Sequence, residues 1–261
     1  MERPASKQLI VVGSLVLFFL MVPNVIVIPI SFSPIEFYQF PPPGISLRWY
    51  EEFFTDPRWL GSLFLSLRVG AATAVLSVLL GVCAAFGVTR GLSFGRQATL
   101  GLVLAPIVVP NVIVAAGLYV FYADIGLLHS EFGLILAHTI IATPIVTITV
   151  MASVKRIDRN LELAAMSLGA GYVRTFITVV LPQVRPGILA GLIFAFVTSF
   201  DELVLAIFLG GIDSTTLPMK MWEGITVESN PVLPAASTVL LVFSTLPLLI
   251  VELQRRRRAA R

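Results

Sequence analysis

Charge is what this chain has least of. Only 13% of its 261 residues are Asp, Glu, Lys or Arg, about half the share of a typical soluble domain. A large soluble core would need polar faces between its apolar stretches, and these are mostly absent. With 57% hydrophobic residues and a mean hydropathy of +0.93, the composition points to a membrane protein. Cysteine occurs once, at Cys83 within an apolar run, so no disulfide forms within the chain. It reads as packing filler. There is no CxxC or HExxH, and the two histidines, His129 and His138, argue against a metal site. There is also no GxxxxGK[ST] loop, so nothing in the sequence would grip ATP. The chain does not read as an enzyme.

Long apolar runs take the place of these missing features. A bilayer core about 30 Å thick needs about 20 apolar helical residues. Six runs qualify, at roughly Leu9–Ile30, Trp59–Val88, Ala98–Phe121, Phe132–Val154, Gly187–Leu209 and Val232–Leu253. The first is too long for a signal-peptide core and lacks an A-x-A-like cleavage site, so it is expected to stay as a span. An all-α protein with a single transmembrane domain over residues 1–261 follows.

Lys and Arg set the direction. Fourteen of the eighteen lie in the N-terminus (Arg3, Lys7), the second loop (Arg90, Arg96), the fourth loop (Lys155, Arg156, Arg159, Arg174, Arg185) and the tail (Arg255 to Arg258, Arg261). Both termini are therefore expected in the cytoplasm. The RRRR tail reads as an anchor against anionic lipid headgroups rather than as a nucleic-acid site. The opposite side holds two net acidic loops, near 31–58 and 211–231. Their aromatic and acidic residues, Trp49, Tyr50, Trp222 and Glu223, are candidates for docking an external protein. An inert connecting role stays open.

One segment is too polar to span and yet has helical composition: NLELAAMSLGAGYVRTFITVVLPQVRPG, residues 160–187. Leu161–Leu168 forms a short helix. Gly169 and Gly171 break it, because glycine tolerates the turn conformations that end helices. Tyr172–Val180 resumes a helical pattern with Val173, Phe176, Ile177 and Val180 on one face. Leu181 and Pro182 are expected to stop it. The residues alone leave two readings open, a rigid knob inserted into a cytoplasmic partner or a helix lying on the headgroups.

This segment resembles the EAA loop of type I ABC importer permeases, whose pattern is E-A-A-x3-G-x9-I-x-L-P. Ala164, Ala165, Gly169, Leu181 and Pro182 match in position and spacing, and Val179 replaces the usual Ile. Leu163 stands where the family has Glu, and Glu162 comes one residue early. The resemblance implies that Glu162, Leu163, Ala164, Ala165, Gly169, Ala170, Gly171, Leu181 and Pro182 form an ATPase-coupling loop. SLFLSLRVG at 62–70, SFDE at 199–202 and TTLPMKMWEGI at 215–225 look most like the second permease of spermidine/putrescine-type systems. Permeases for ferric iron, thiamine and sulfate share much of this. The resemblance implies a sister permease, two ATPase subunits that bind ATP and Mg, an external or periplasmic binding protein, and a place in the bacterial inner membrane. A self-contained secondary carrier or channel is the alternative of another class. It would usually show an inverted repeat, and none is found.

Charges inside spans are costly and face a cavity or each other. Arg68 and Asp201 both lie roughly 12–14 Å from the outer boundary at 1.5 Å per residue, so their depths permit a salt bridge. Glu202 falls on a small and polar stripe with Gly191, Ala195, Thr198 and Ala206. Asp201 is accordingly assigned to Arg68, and Glu202 is left to meet a cation in transit; Arg68, Asp201 and Glu202 are all path candidates, and an ion network that only holds the helices together stays open. The hexamer VPNVIV occurs at 22–27 and 109–114. Its proline loosens a helix and its asparagine offers a polar group in lipid, so both spans are expected to kink and Asn111 joins the path candidates. Gly70, Ala71, Ala74, Gly81, Ala84 and Ala85 read as a close helix-packing surface, and His138 as hydrogen-bonded to a neighbouring helix.

Overall fold

The computed structural model describes residues 7–91, 95–227 and 230–259. Arg3 and Arg261, with the side chains of Lys7 and Arg255 to Arg258, lie outside the described residues. Twelve α-helices follow in order among the described residues: α1 Lys7–Ile30, α2 Arg48–Thr55, α3 Pro57–Phe86, α4 Arg96–Val108, α5 Asn111–Ile125, α6 Glu131–Val154, α7 Arg159–Ser167, α8 Tyr172–Thr175, α9 Leu181–Phe200, α10 Val204–Leu209, α11 Leu217–Thr226 and α12 Leu233–Ala259. Wider π turns follow α3 at Gly87–Gly91 and join α8 to α9 at Phe176–Val180.

Among the described residues, four helices are long and apolar enough to cross a bilayer: Gln8–Ile30, Pro57–Gly91, Glu131–Val154 and Tyr172–Phe200. The pair α4 and α5 adds a fifth if counted as one broken span, because the two helices meet at a bend of 100°. The described apolar part of α12, Leu233–Pro247, is shorter.

The chain forms two compact units. One comprises the residues up to 60 together with 221–243. In it, Trp49 and Phe53 lie one turn apart on the inner face of the amphipathic α2, and both are buried. Phe53 packs against Trp59 with ring centroids 5.7 Å apart. Tyr50 is tied by its hydroxyl to Ser31 Oγ at 2.7 Å. Trp49, expected on a docking surface, is therefore a core residue, because a short helix stays folded only by burying its apolar stripe.

The other unit comprises residues 61–220 and 244–261 and centres on α6. Val146, Val150 and Val154 of α6 pack with Ala74 and Ala85 of α3 and with Val184 and Ala195 of α9. Small residues set these approaches. A Cβ on Gly81 would lie 2.7 Å from Val146 Cγ1, and one on Gly191 would lie 3.1 Å from the same atom. Gly191, Ala195 and Ala206 are buried, so the stripe expected to line a path is mainly a packing surface. His138 is fully buried and hydrogen-bonded through Nδ1 to Ser199 Oγ of α9 at 2.8 Å. Cys83 is exposed on α3 rather than packed.

Two helix boundaries differ from expectation. Pro182 does not stop the helix that starts at Tyr172, which continues to Phe200. The preceding π turn, closed by Leu181 N–H to the Phe176 carbonyl, makes room for a ring that would clash inside a regular α-helix. The fifth run also breaks, between Phe200 and Val204. The two VPNVIV copies diverge as well. α1 runs unbroken through Pro23. The second copy breaks at Val109, whose extended backbone (φ −78°, ψ 127°) is what a following proline favours.

Candidate functional site

The knob is built by one turn. Asp158 caps α7 by accepting from Asn160 N at 2.9 Å. At the other end Gly169 N donates to Met166 O at 2.9 Å and Ala170 N to Ala165 O at 3.1 Å, the two bonds of a Schellman ending. Gly169 has φ +85°, a left-handed conformation that L side chains resist. Gly171 is extended at φ −69°, ψ 166°, which any residue adopts. Of the two glycines expected to make the break, only Gly169 is needed for its backbone.

The knob's apolar residues split into two sets. Phe176 and Val180 pack inward, Phe176 edge-on to Phe86 of α3 at 5.3 Å and Val180 in the core. Leu168 is 89% exposed and Tyr172 83% exposed, and Val173, Ile177, Leu161 and Leu163 are also exposed. The face expected to carry Val173, Phe176, Ile177 and Val180 together thus divides. Ala164 is exposed, Ala165 and Ala170 are half-buried, and Leu181 and Pro182 lie in the continuous helix beyond. Glu162 turns inward and meets Arg90, Oε1 to Nη1, at 2.5 Å. Neither of these two atoms makes a hydrogen bond, so the contact is one of charge.

The charges inside the spans are arranged otherwise than expected. Arg68 does not pair with Asp201. It grips Glu131 with two parallel bonds, Nε and Nη2 to the two carboxylate oxygens, each at 2.9 Å. Glu131 occupies the first turn of α6 behind the Ser130 cap, and this planar fork-to-carboxylate geometry outcompetes a one-point contact. Glu131 stands one residue before the apolar run that begins at Phe132, so apolarity alone does not mark it. Asp201 accepts from Ser244 Oγ of α12 at 2.9 Å and is otherwise exposed. Among the described residues no Lys or Arg pairs with it.

Glu202 is only 8% exposed. Its Oε1 caps α10, accepting from Val204 N at 2.9 Å and Leu205 N at 3.1 Å. Its Oε2 accepts from Asn111 Nδ2 at 3.0 Å. These three bonds hold the carboxylate between the starts of α5 and α10. The Asn111–Glu202 bond joins two helix breaks: Asn111 starts α5 beside the carboxylate that also caps α10. On α11, expected as part of an outer loop, Trp222 is exposed and Glu223 is half-buried.

The family described as binding-protein-dependent transport system inner membrane component matches residues 77–259. Among similar proteins, the putrescine transport system permease protein PotI of Escherichia coli (strain K12) is 33% identical over 207 residues, covering 76% of this chain and 73% of its own. The spermidine/putrescine transport system permease protein PotC of Haemophilus influenzae is 25% identical over 239 residues, 92% of this chain and 93% of its own. The sulfoquinovosyl glycerol transport system permease protein SmoH of Agrobacterium fabrum is 30% identical over 230 residues, 87% and 79% of the two chains. A bacterial ABC transporter involved in the import of the acidic polysaccharide alginate shares the fold, with a TM-score of 0.68 at 15% identity over 94% of this chain and 96% of that one. With the turn, the broken spans and these likenesses together, the chain belongs to the binding-protein-dependent transport system inner membrane components, the permeases of ABC importers.

Proposed function

We propose that this chain is the permease subunit of an ATP-driven importer for a small cationic solute of the polyamine class, such as putrescine or spermidine. In this reading residues 1–261 act as one transmembrane domain that crosses the inner membrane six times with both termini in the cytoplasm. A sister permease completes the path. An external binding protein delivers the solute and meets the outer loop around Trp222 and Glu223. Two ATPase subunits bind ATP and Mg, and one of them receives the knob. The exposed apolar surface of Leu168, Tyr172 and Val173 supports that docking, since so large a water-side apolar face marks an interaction surface.

Asp201 carries the substrate class. It is an exposed carboxylate at the break of a spanning helix, held by Ser244 and by no cation among the described residues. A charge in that setting is expensive unless a cation compensates it, and a protonated amine in transit does so. The names of the relatives agree with this class. The test is uptake of labelled putrescine by liposomes holding the full complex, with spermidine, sulfate and sulfoquinovosyl glycerol as competitors. Competition by spermidine alone, and a raised KM for putrescine in Asp201→Asn, are expected. A complex that ignores both amines and imports an anion or a sugar overturns the reading.

A further inference from the structure

Arg90 sits in the π turn that ends α3, and its side chain touches two other elements at once. Nη2 reaches the carbonyls of Val154 and Ile157, each at 3.4 Å. The first is the last carbonyl of α6, where the helix dipole leaves partial negative charge, and the second belongs to the turn that leads from α6 into α7. Nη1 lies 2.5 Å from Glu162 Oε1 in the first turn of α7. Both side chains are only 20% exposed, so the contact is less screened than a surface pair. A guanidinium suits this place, being always charged and carrying several donors in a fixed fork. One cation thereby fastens the root of the knob to the ends of two spanning helices.

The register of Glu162 makes this contact possible. Adjacent helical residues point about 100° apart. Leu163, one position on, is exposed, while Glu162 faces back into its own chain. A carboxylate at 163 would face outward, toward whatever covers the knob. In this protein the acid is spent within the subunit.

We propose that the Arg90–Glu162 pair is the joint that passes displacement of the knob to α3 and α6, with both residues acting as positioning residues in coupling. This rests on the reading that the knob docks on the ATPase. Without the joint, α7 stays connected to α6 through the Lys155–Asp158 turn and to α9 through the Schellman turn. The knob then still docks, but part of its movement is absorbed before it reaches α3.

The test uses the full complex of both permeases, ATPase and binding protein in liposomes, with putrescine as the probe. Uptake and binding-protein-stimulated ATP hydrolysis are measured together, and ATPase co-purification is scored separately. Glu162→Gln and Arg90→Gln are expected to keep the ATPase bound while uptake per ATP falls about tenfold, within the usual range of coupling between sites. The double variant should be no worse than Arg90→Gln alone, because the two residues act through one contact. Leu163→Glu added to Glu162→Gln should restore nothing. If Arg90→Gln fails to assemble, Glu162→Gln alone decides, since it leaves both carbonyl contacts of Arg90 in place. Wild-type uptake per ATP in Glu162→Gln, additive losses in the double variant, or rescue by Leu163→Glu overturns the proposal. The docking reading is tested by a different arm: if Leu168→Asp and Tyr172→Asp leave the ATPase bound as in wild type, the knob is not the docking surface and the proposal falls with it.

Discussion

Gly169→Val isolates the turn at the tip of the knob, because the structure separates backbone strain from lack of space. A Cβ at Gly169 would meet no atom within 4 Å, so a larger side chain clashes with nothing. The backbone, however, stands at φ +85°. Holding an L residue in the left-handed region costs about 1–2 kcal/mol, more for a β-branched one. The chain escapes that strain only by opening the bonds from Gly169 N to Met166 O and from Ala170 N to Ala165 O, worth about 0.5–1.5 kcal/mol each. The two costs are comparable, so a good part of the population is expected to lose the turn, and about 1.4 kcal/mol corresponds to a tenfold shift. In reconstituted complexes, ATPase co-purification and uptake should both fall by roughly that factor. Two controls give the prediction its edge. Gly171 also has open space but extended backbone, so Gly171→Val should stay near wild type. Asn tolerates the left-handed region, so Gly169→Asn should recover much of the loss. Equal effects of valine at 169 and 171, or an asparagine as damaging as valine, would refute the argument from backbone geometry.

Three further outcomes are expected. Arg68→Ala should lower the thermal stability of the purified subunit, since it leaves the Glu131 carboxylate without its two-bond partner; Glu131→Gln should offset the loss, whereas Asp201→Asn should not. Glu202→Gln and Asn111→Ala should each cost about 1.5–3 kcal/mol, the range for a hydrogen bond to a charged group, and the double variant should cost less than their sum because they share the bond at 3.0 Å; thermal unfolding in detergent reads both. Gly81→Leu should abolish a monodisperse size-exclusion peak, because its Cβ would lie 2.7 Å from Val146 Cγ1 and 3.1 Å from Thr147 N, an overpacking worth about 1–3 kcal/mol or more; Gly101→Leu, with nothing within 4 Å, should leave the peak intact.

Much of this protein was legible in its residues. Apolar runs long enough for a bilayer, separated by short polar stretches, dictate helices, since backbone groups in lipid have no other partners. Observed helices such as Pro57–Phe86 and Glu131–Val154 begin and end within a few residues of the runs read from the sequence. The helix, glycine turn and second helix of the knob were equally local, because a Schellman ending needs only the glycine and the residues just before it.

What the sequence could not rank was partner choice among groups far apart in the chain. Matching depth made Arg68 and Asp201 look like a pair. Depth is one coordinate of three, and the folded chain places Glu131 rather than Asp201 before the guanidinium. A stripe of small and polar residues is the same pattern whether it lines a path or lets two helices touch. Only the approach of Val146 to Gly81 and Gly191 decides for packing. The two VPNVIV copies make the point most directly. The same six residues continue one helix in α1 and break between α4 and α5, and at the second copy a carboxylate 91 residues away in the chain meets the asparagine. Hydrophobicity and turn chemistry act over a few residues and can be read from order alone. Hydrogen bonds and ion pairs are directional and short, so they exist only where the tertiary structure brings their two ends together.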